Sequence, residues 1–166
     1  MSRGQLMFDY HAAMTAGHGF NEYVADVLRS FGVSQVAVPE LELVTDAAAI
    51  KEKTKNEKDV LVGDLVLEVK SSSRSFTSIE DFPHNPLIVD TVYGYEQKTV
   101  KPFAYIIISQ VTKAMFVIPC GTQSHWERHE YWDKNRQLVD DFYMVKKSDC
   151  RLFIDLVDQL LLRQNG

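Results

Sequence analysis

The spacing of apolar residues changes several times along the chain, and each change predicts a new element of secondary structure. Before Gly32, apolar side chains recur at helical spacing, at Phe20, Tyr23, Val24, Val27, Leu28 and Phe31. This spacing predicts an α-helix over much of residues 7–31, with the AGHG segment as the place where it is interrupted. A second helical stripe, with Ser148 as its N-cap, predicts a C-terminal helix that carries Leu152, Phe153, Leu156, Val157, Leu160 and Leu161.

The apolar residues between these two helices favour β-strands. Strands are predicted for QVAVPELEL (35–43), where Pro39 indicates an edge or a bend, for FAYIIIS (103–109) and for KAMFVIP (113–119). A helix is predicted for IVDTVYGYEQKT (88–99), a loop or a short helix for residues 45–58, and a loop for residues 71–86. HWERHEYWD (125–133) fits no pattern. With a hairpin at 59–70, the order is α-β-β-β-α-β-β plus a C-terminal helix. We therefore predict an α/β fold with a central mixed β-sheet, formed by one domain over residues 1–166.

The hairpin DVLVGDLVLEVK has a register that the sequence itself determines. Gly63-Asp64 is a natural two-residue turn, with Gly first as a type II′ turn requires. Side chains alternate across a strand, so one face of this hairpin is wholly apolar. The opposite face carries Asp59, Glu68 and Lys70. A slip of one residue would mix the two faces, and the apolar pattern therefore supports this register.

The register makes Asp59 and Glu68 cross-strand neighbours, with Cβ atoms roughly 5 Å apart. Two carboxylates this close repel each other unless a cation or a proton lies between them. Their hard oxygen ligands favour Mg²⁺ or Mn²⁺, and a lysine next to a metal-bound water suits the hydrolysis of a phosphoester. The alternative is a solvated sheet edge, on which Glu-x-Lys is also common. Asp64 is the less suitable acid, because the turn places it ~13 Å from Glu68.

Asp59 followed by Glu68-Val69-Lys70 resembles the motif of the PD-(D/E)XK nuclease superfamily, which has the restriction-endonuclease-like fold. The predicted element order matches as well, over roughly residues 17–118, although Lys58 stands where the family often has proline. The resemblance implies cleavage of DNA phosphodiester bonds with Mg²⁺, for which Mn²⁺ substitutes. It also implies that Asp59, Glu68 and the backbone carbonyl of Val69 bind the metal, and that Lys70 assists the attacking water.

The same resemblance implies two helper residues on helices. Many members of the superfamily carry a glutamate on the first helix, and Glu22 is the candidate here. Others place a glutamine or a lysine on the helix after the Glu-x-Lys triplet, where Gln97 and its neighbour Lys98 fall. We take Glu22 and Gln97 as candidate catalytic residues.

Charge and composition limit the partners of such a site. The net charge is −5, so the chain has no overall basic character that would favour nucleic acid, although a local cationic surface is compatible with this total. Candidate phosphate contacts flank the site at Lys55, Lys58, Ser72, Ser73 and Arg74. His125 and His129 would share one face of a helix, but a zinc site needs more ligands, and surface histidines are the preferred interpretation.

The remaining features predict a soluble cytoplasmic protein. No apolar run is long enough to cross a bilayer, the N-terminus has no signal-peptide pattern, and Cys120 and Cys150 lack metal-ligand spacing. The main hypothesis is a DNA nuclease that acts as a homodimer, with RNA as a further possible substrate. The alternative is a catalytically inactive nuclease-fold module that binds nucleic acid or a protein partner.

Overall fold

The computed structural model describes residues 10–41, 46–49 and 57–166. These residues contain the helices α1 (Tyr10–Ser30), α2 (Val92–Gln97) and α3 (Phe153–Asn165). Their strands are β1 (Val36–Ala37), β2 (Val60–Val62), β3 (Leu65–Ser72), β4 (Leu87–Thr91), β5 (Ala104–Ser109), β6 (Met115–Pro119), β7 (Glu127–Asp133), β8 (Leu138–Val145) and β9 (Arg151–Leu152). Two 3₁₀ helices lie at Cys120–His125 and Lys147–Asp149. Among these elements, none of the helices has the length and apolar character needed to cross a membrane.

The strands form two sheets of different size. The larger sheet has the order β1-β2-β3-β5-β6-β9, and the smaller one has the order β4-β8-β7. Within the larger sheet β3 and β5 run parallel, while the neighbours on either side pair antiparallel. The predicted α/β class with a central mixed sheet is therefore confirmed.

Each face of the larger sheet is covered by a different layer. On one face α1 and α3 pack against β2, β3, β5 and β6, and Val24, Leu28, Ile106 and Val157 are among the buried residues. On the other face the smaller sheet packs through a second core that includes Phe76, Tyr105, Phe116 and Trp126. All six residues of β5 are buried, because this strand lies between the two layers. Burial on both faces explains the continuous apolar run of FAYIIIS.

Helix boundaries differ from the prediction at three places. The helix α1 continues through AGHG without a break. The segment 88–99 is not one helix, because the Thr91 hydroxyl accepts a hydrogen bond from the Gly94 amide and so begins α2 after a strand. Ser148 lies in a 3₁₀ helix, and α3 begins at Phe153 with Leu152 as its N-cap.

The observed strands also differ from the predicted ones. The predicted strand 35–43 is reduced in the described residues to Val36–Ala37, and most of residues 45–58 lies outside the described part of the chain. HWERHEYWD forms β7, which pairs with the unpredicted strand β8. His125 lies in a 3₁₀ helix and His129 in a strand, so they do not share a helical face. Both are exposed, as expected of surface histidines, and each lies within salt-bridge distance of an acidic side chain.

Candidate functional site

The predicted hairpin register is confirmed residue by residue. Val62 pairs with Leu65, Leu61 with Val66, and Val60 with Leu67. Gly63 adopts a φ of +58°, the left-handed value that the first position of a type II′ turn requires. The apolar face of the hairpin packs on the core below α1 and α3, where Val60 and Leu67 are completely buried. The opposite set of side chains therefore lies outside that core.

Asp59 and Glu68 are both buried, each with 7% of its surface exposed. Asp59 directly precedes β2 and follows the ladder to the position opposite Glu68. Its Oδ2 atom accepts a hydrogen bond of 2.8 Å from the backbone amide of Val69. Its Oδ1 atom lies 3.4 Å from Nδ2 of Asn21, which is buried on α1. These contacts fix the carboxylate of Asp59 beside the strand that carries Glu68.

Two lysines contact Glu68 from different elements. The Nζ atom of Lys98 lies 3.3 Å from Oε1 of Glu68, and that of Lys70 lies 3.8 Å from the same oxygen. Lys98 is buried, whereas the Lys70 side chain is 40% exposed. The other carboxylate oxygen, Oε2 of Glu68, is buried and is the one such side-chain atom without a hydrogen-bond partner in the described part of the chain.

A third carboxylate comes from the smaller sheet. Asp90, near the end of β4, lies with its Oδ1 atom 3.5 Å from Nζ of Lys70. Its Oδ2 atom accepts a hydrogen bond of 2.8 Å from the hydroxyl of Tyr105, a completely buried residue of β5. The site thus joins both sheets, and three carboxyl groups surround two ammonium groups.

Burial and like charges shift the pKa values of this cluster. Burial, and next to it the charge of Glu68, raises the pKa of Asp59 to about 8. Burial also raises the pKa of Glu68, against the opposing effects of Lys70 and Lys98. For Lys70 burial lowers the pKa, but the charges of Asp90, Glu68 and Asp59 raise it by more than burial lowers it. The net shift is upward, so this lysine stays protonated at neutral pH. The two ammonium groups therefore compensate the charge of the buried carboxyl groups only in part.

The donors of this cluster suit a hard divalent cation. Asp59 and the unpartnered Oε2 of Glu68 provide carboxylate oxygens, the ligand type that hard divalent cations prefer. The Val69 amide points to Asp59, and the carbonyl of a strand residue lies on the same side as its amide. Mg²⁺ binds through one or two carboxylates and keeps several waters. Within residues 10–41, 46–49 and 57–166, however, no three His, Cys, Asp or Glu side chains are grouped as a complete metal site.

Two predicted helper residues are replaced by their neighbours in sequence. Glu22 is exposed and its carboxylate lies 3.0 Å from Nε2 of His18, so it does not join the cluster, whereas Asn21 does. Gln97 is also exposed, and Lys98 contacts Glu68 in its place. At both positions the residue that contacts the cluster is the neighbour of the predicted one, and the catalytic roles of Glu22 and Gln97 stay predictions.

The candidate phosphate contacts have mixed positions. Lys58, Ser73 and Arg74 are exposed on the segments that flank the hairpin, and Lys55 lies outside the described residues. Ser72 is half-buried, and its hydroxyl accepts a hydrogen bond of 3.2 Å from the Arg74 amide. The Ser72 hydroxyl therefore has a role within its own loop. Exposed positive side chains precede β2 and follow β3.

Three residues of the cluster were not recognised as site residues from the sequence. Asp90 ends the apolar run LIVD, and a buried acid after such a run is a usable signal. Asn21 and Tyr105 give no such signal, because Asn21 is an ordinary polar residue of a helix and Tyr105 belongs to the apolar run of β5.

Comparison of the chain with protein-family models, with curated proteins and with solved structures finds no match. The interpretation of this cluster therefore depends on its own geometry and chemistry.

Proposed function

We propose that the chain is a Mg²⁺-dependent nuclease of the PD-(D/E)XK type that hydrolyses DNA phosphodiester bonds. The observation that carries the proposal is the buried pair Asp59 and Glu68 with Lys70 beside it. Burying two carboxylates side by side destabilises a fold unless a ligand, a proton or a neighbouring positive charge compensates for the repulsion, and the pKa values of both carboxyl groups stay raised despite the neighbouring lysines. A fold that keeps this arrangement is consistent with a site that serves a bound cation.

The order of elements around the cluster supports the same proposal. A helix, α1, is followed by the strands β1, β2 and β3, then by α2, and then by β5, which lies parallel to β3. This order agrees with the one that the resemblance implies for the restriction-endonuclease-like fold. The β4 strand and its partners β7 and β8 form an additional layer in this interpretation.

Asp59, Glu68 and the Val69 carbonyl would hold the cation. When bound, Mg²⁺ or Mn²⁺ would neutralise charge on the scissile phosphate and acidify a water molecule. Asn21 orients Asp59 through its side-chain amide. Lys98 holds Oε1 of Glu68 and leaves Oε2 for a ligand.

Lys70 acts as a charged group in this proposal. Because its acidic neighbours keep it protonated, it donates hydrogen bonds to the attacking water or to a phosphate oxygen and does not accept a proton. Its partial exposure gives it access to a substrate. Exposed Lys58 and Arg74 contact the flanking phosphates. The described part of the chain carries one such cluster, so cutting both strands of a duplex favours a homodimer.

A catalytically inactive module that binds nucleic acid or a protein partner is the second candidate. The observation that favours it is the presence of two ammonium groups beside Glu68, which partly compensate the carboxylate charge without a metal. The described residues also contain no group of three metal-ligating side chains, and this observation likewise favours the second candidate.

The test is metal-dependent cleavage by the purified protein. Circular DNA, linear DNA and RNA are incubated with the protein in Mg²⁺, in Mn²⁺ or in EDTA. Beside the wild type we would use Glu68→Gln, which removes the charge at constant shape, and Asp64→Asn as a control on the same hairpin. The nuclease proposal requires cleavage that EDTA and Glu68→Gln abolish and that Asp64→Asn retains. Equal binding without cleavage by all three proteins would favour the module.

A further inference from the structure

Asp90 is the one acid of the cluster that comes from the smaller sheet, and it is held by contacts of its own. The Tyr105 hydroxyl donates to Oδ2 at 2.8 Å, and the Thr91 amide donates to Oδ1 at 2.8 Å. A methyl group at Gly94 would lie only 3.0 Å from Oδ1. Asp90 is thus bonded on both oxygens and closely packed, so its carboxylate has little freedom to move.

The Lys70 side chain is less constrained than that of Asp90. Its side chain is 40% exposed, and its ammonium group lies between two acceptors, 3.5 Å from Oδ1 of Asp90 and 3.8 Å from Oε1 of Glu68. A long lysine side chain with this exposure has room to adopt other rotamers. The unpartnered Oε2 of Glu68 is an acceptor close to a displaced ammonium group. Lys70 in that position would occupy the place of a cation.

We propose that Asp90 is a positioning residue that holds the Lys70 ammonium group away from Oε2 of Glu68. Asp90 thereby keeps one Glu68 oxygen open for a cation and keeps Lys70 directed to the substrate side. Tyr105 acts behind Asp90 by fixing its carboxylate. The consequence for catalysis rests on the proposed nuclease function, whereas the positioning of Lys70 does not.

The smaller sheet therefore has a role at the site beyond covering a hydrophobic core. Asp90 pairs with Tyr143 of β8, and β8 in turn pairs with β7. Asp90 is brought to Lys70 because β4 packs its buried residues, such as Val89, against the face of the larger sheet that carries Tyr105. The two lysines at Glu68 are then held separately, Lys98 by Glu68 itself and Lys70 by Asp90 as well.

The experiment measures the order of Lys70 directly. The ¹³Cε relaxation of lysine side chains is recorded by NMR in EDTA for the wild type, Asp90→Asn and Tyr105→Phe. Tyr95→Phe is the matched control, because its hydroxyl donates instead to Gln123 in the same core. We expect the Lys70 signal to become mobile in Asp90→Asn, to a smaller degree in Tyr105→Phe, and not in Tyr95→Phe. If Asp90→Asn does not fold, Tyr105→Phe alone gives the comparison.

Steady-state cleavage on the same proteins gives the second reading. We expect kcat of Asp90→Asn to fall by roughly 10²-fold, as for a misplaced catalytic group, with a much smaller change in KM. An equally ordered Lys70 in the wild type, Asp90→Asn and Tyr105→Phe would overturn the inference, whether or not the protein cleaves DNA. A mobile Lys70 with unchanged kcat would overturn its catalytic part. If the wild type cleaves nothing, the nuclease proposal fails, and the relaxation data still decide whether Asp90 positions Lys70.

Discussion

The ammonium group of Lys98 lies 3.3 Å from the carboxylate of Glu68, and both side chains are almost completely buried. Lys98 is the first residue after α2, where the backbone has already left the helical conformation. The change of direction at this residue aims its side chain at β3. A buried ion pair of this kind has a large effect on stability when one partner is lost, because the other is left as an uncompensated charge.

Replacing Lys98 tests this pair. We expect Lys98→Met to lower the free energy of unfolding by about 3–5 kcal/mol at neutral pH, because Glu68 would lose its nearest positive charge. Urea unfolding followed by circular dichroism measures the change. Lys134→Met, at an exposed position in the turn after β7, is the control and should change stability little. Adding Glu68→Gln to Lys98→Met should recover much of the loss, and a purely additive double variant would contradict the pairing.

The raised pKa of Asp59 predicts that stability falls as the pH increases. Between its ordinary pKa of 3.8 and its folded value of about 8, the folded protein binds the proton that the unfolded chain has released. The free energy of unfolding then decreases with pH across this interval. We expect the free energy of unfolding of Asp59→Asn, relative to that of the wild type, to be higher at pH 8 than at pH 4. Urea unfolding in EDTA measures both values.

The effect of Mg²⁺ on thermal stability is a second test of the wild type against Asp59→Asn. The ion should raise the melting temperature of the wild type at pH 8, where a larger fraction of Asp59 is ionised, and should have less effect at pH 5 or in Asp59→Asn. Asp64→Asn is the matched control, because that acid is exposed at the hairpin turn. A stability difference between wild type and Asp59→Asn that stays constant with pH would show that Asp59 titrates normally.

Adjacent positions on α1 give a sharp test of the site boundary. Asn21 contacts Asp59, whereas Glu22 contacts His18 away from the cluster. Loss of a residue that orients a metal ligand commonly costs 10–100-fold in activity or metal affinity. We expect Asn21→Ala to lose roughly tenfold in cleavage rate and Glu22→Ala to keep the wild-type rate. The reverse order of effects would return Glu22 to the site.

The hairpin could be predicted from sequence because its physics is local. Alternating apolar residues, a Gly-Asp turn and two adjacent strands allow only one register that keeps Val60 and Leu67 in the core. The positions of Asp59 and Glu68 follow from that register. The helper residues on helices were less accessible, because successive residues of an α-helix differ by 100° in direction. A shift of one residue along the helix therefore separates Glu22, which the sequence suggests, from Asn21, which contacts Asp59.

The smaller sheet was not predictable for a different reason. Strand β7 lies at a sheet edge, and six of its seven residues are exposed, so it lacks the alternation that marks a half-buried strand. Its partner β8 contains Asp140 and Asp141, which pair with Arg136 and Arg128, and these acids interrupt the apolar run. The contact of Asp90 with Lys70 depends on this sheet and has no local signal.

Two glycines in helices have opposite expected responses to alanine. A methyl group at Gly19, in α1, meets no atom within 4 Å. Alanine has a higher helix propensity than glycine. We expect Gly19→Ala to stabilise the protein by about 0.5–1 kcal/mol. At Gly94 the same methyl group would lie 2.7 Å from Oγ1 of Thr91 and 3.0 Å from Oδ1 of Asp90. We expect Gly94→Ala to destabilise it by about 1–3 kcal/mol.

Thermal and urea unfolding of the two variants measures these changes, and Gly121→Ala is the control, since a methyl group there also has open space. A neutral or destabilising Gly19→Ala would indicate that the AGHG segment is not helical in solution. At Gly94 the cause is the close approach to Asp90 and Thr91, so Thr91→Ala should relieve part of the overlap in the double variant. If Gly94→Ala were tolerated without loss, the carboxylate of Asp90 would have room to move, and its proposed hold on Lys70 would weaken accordingly.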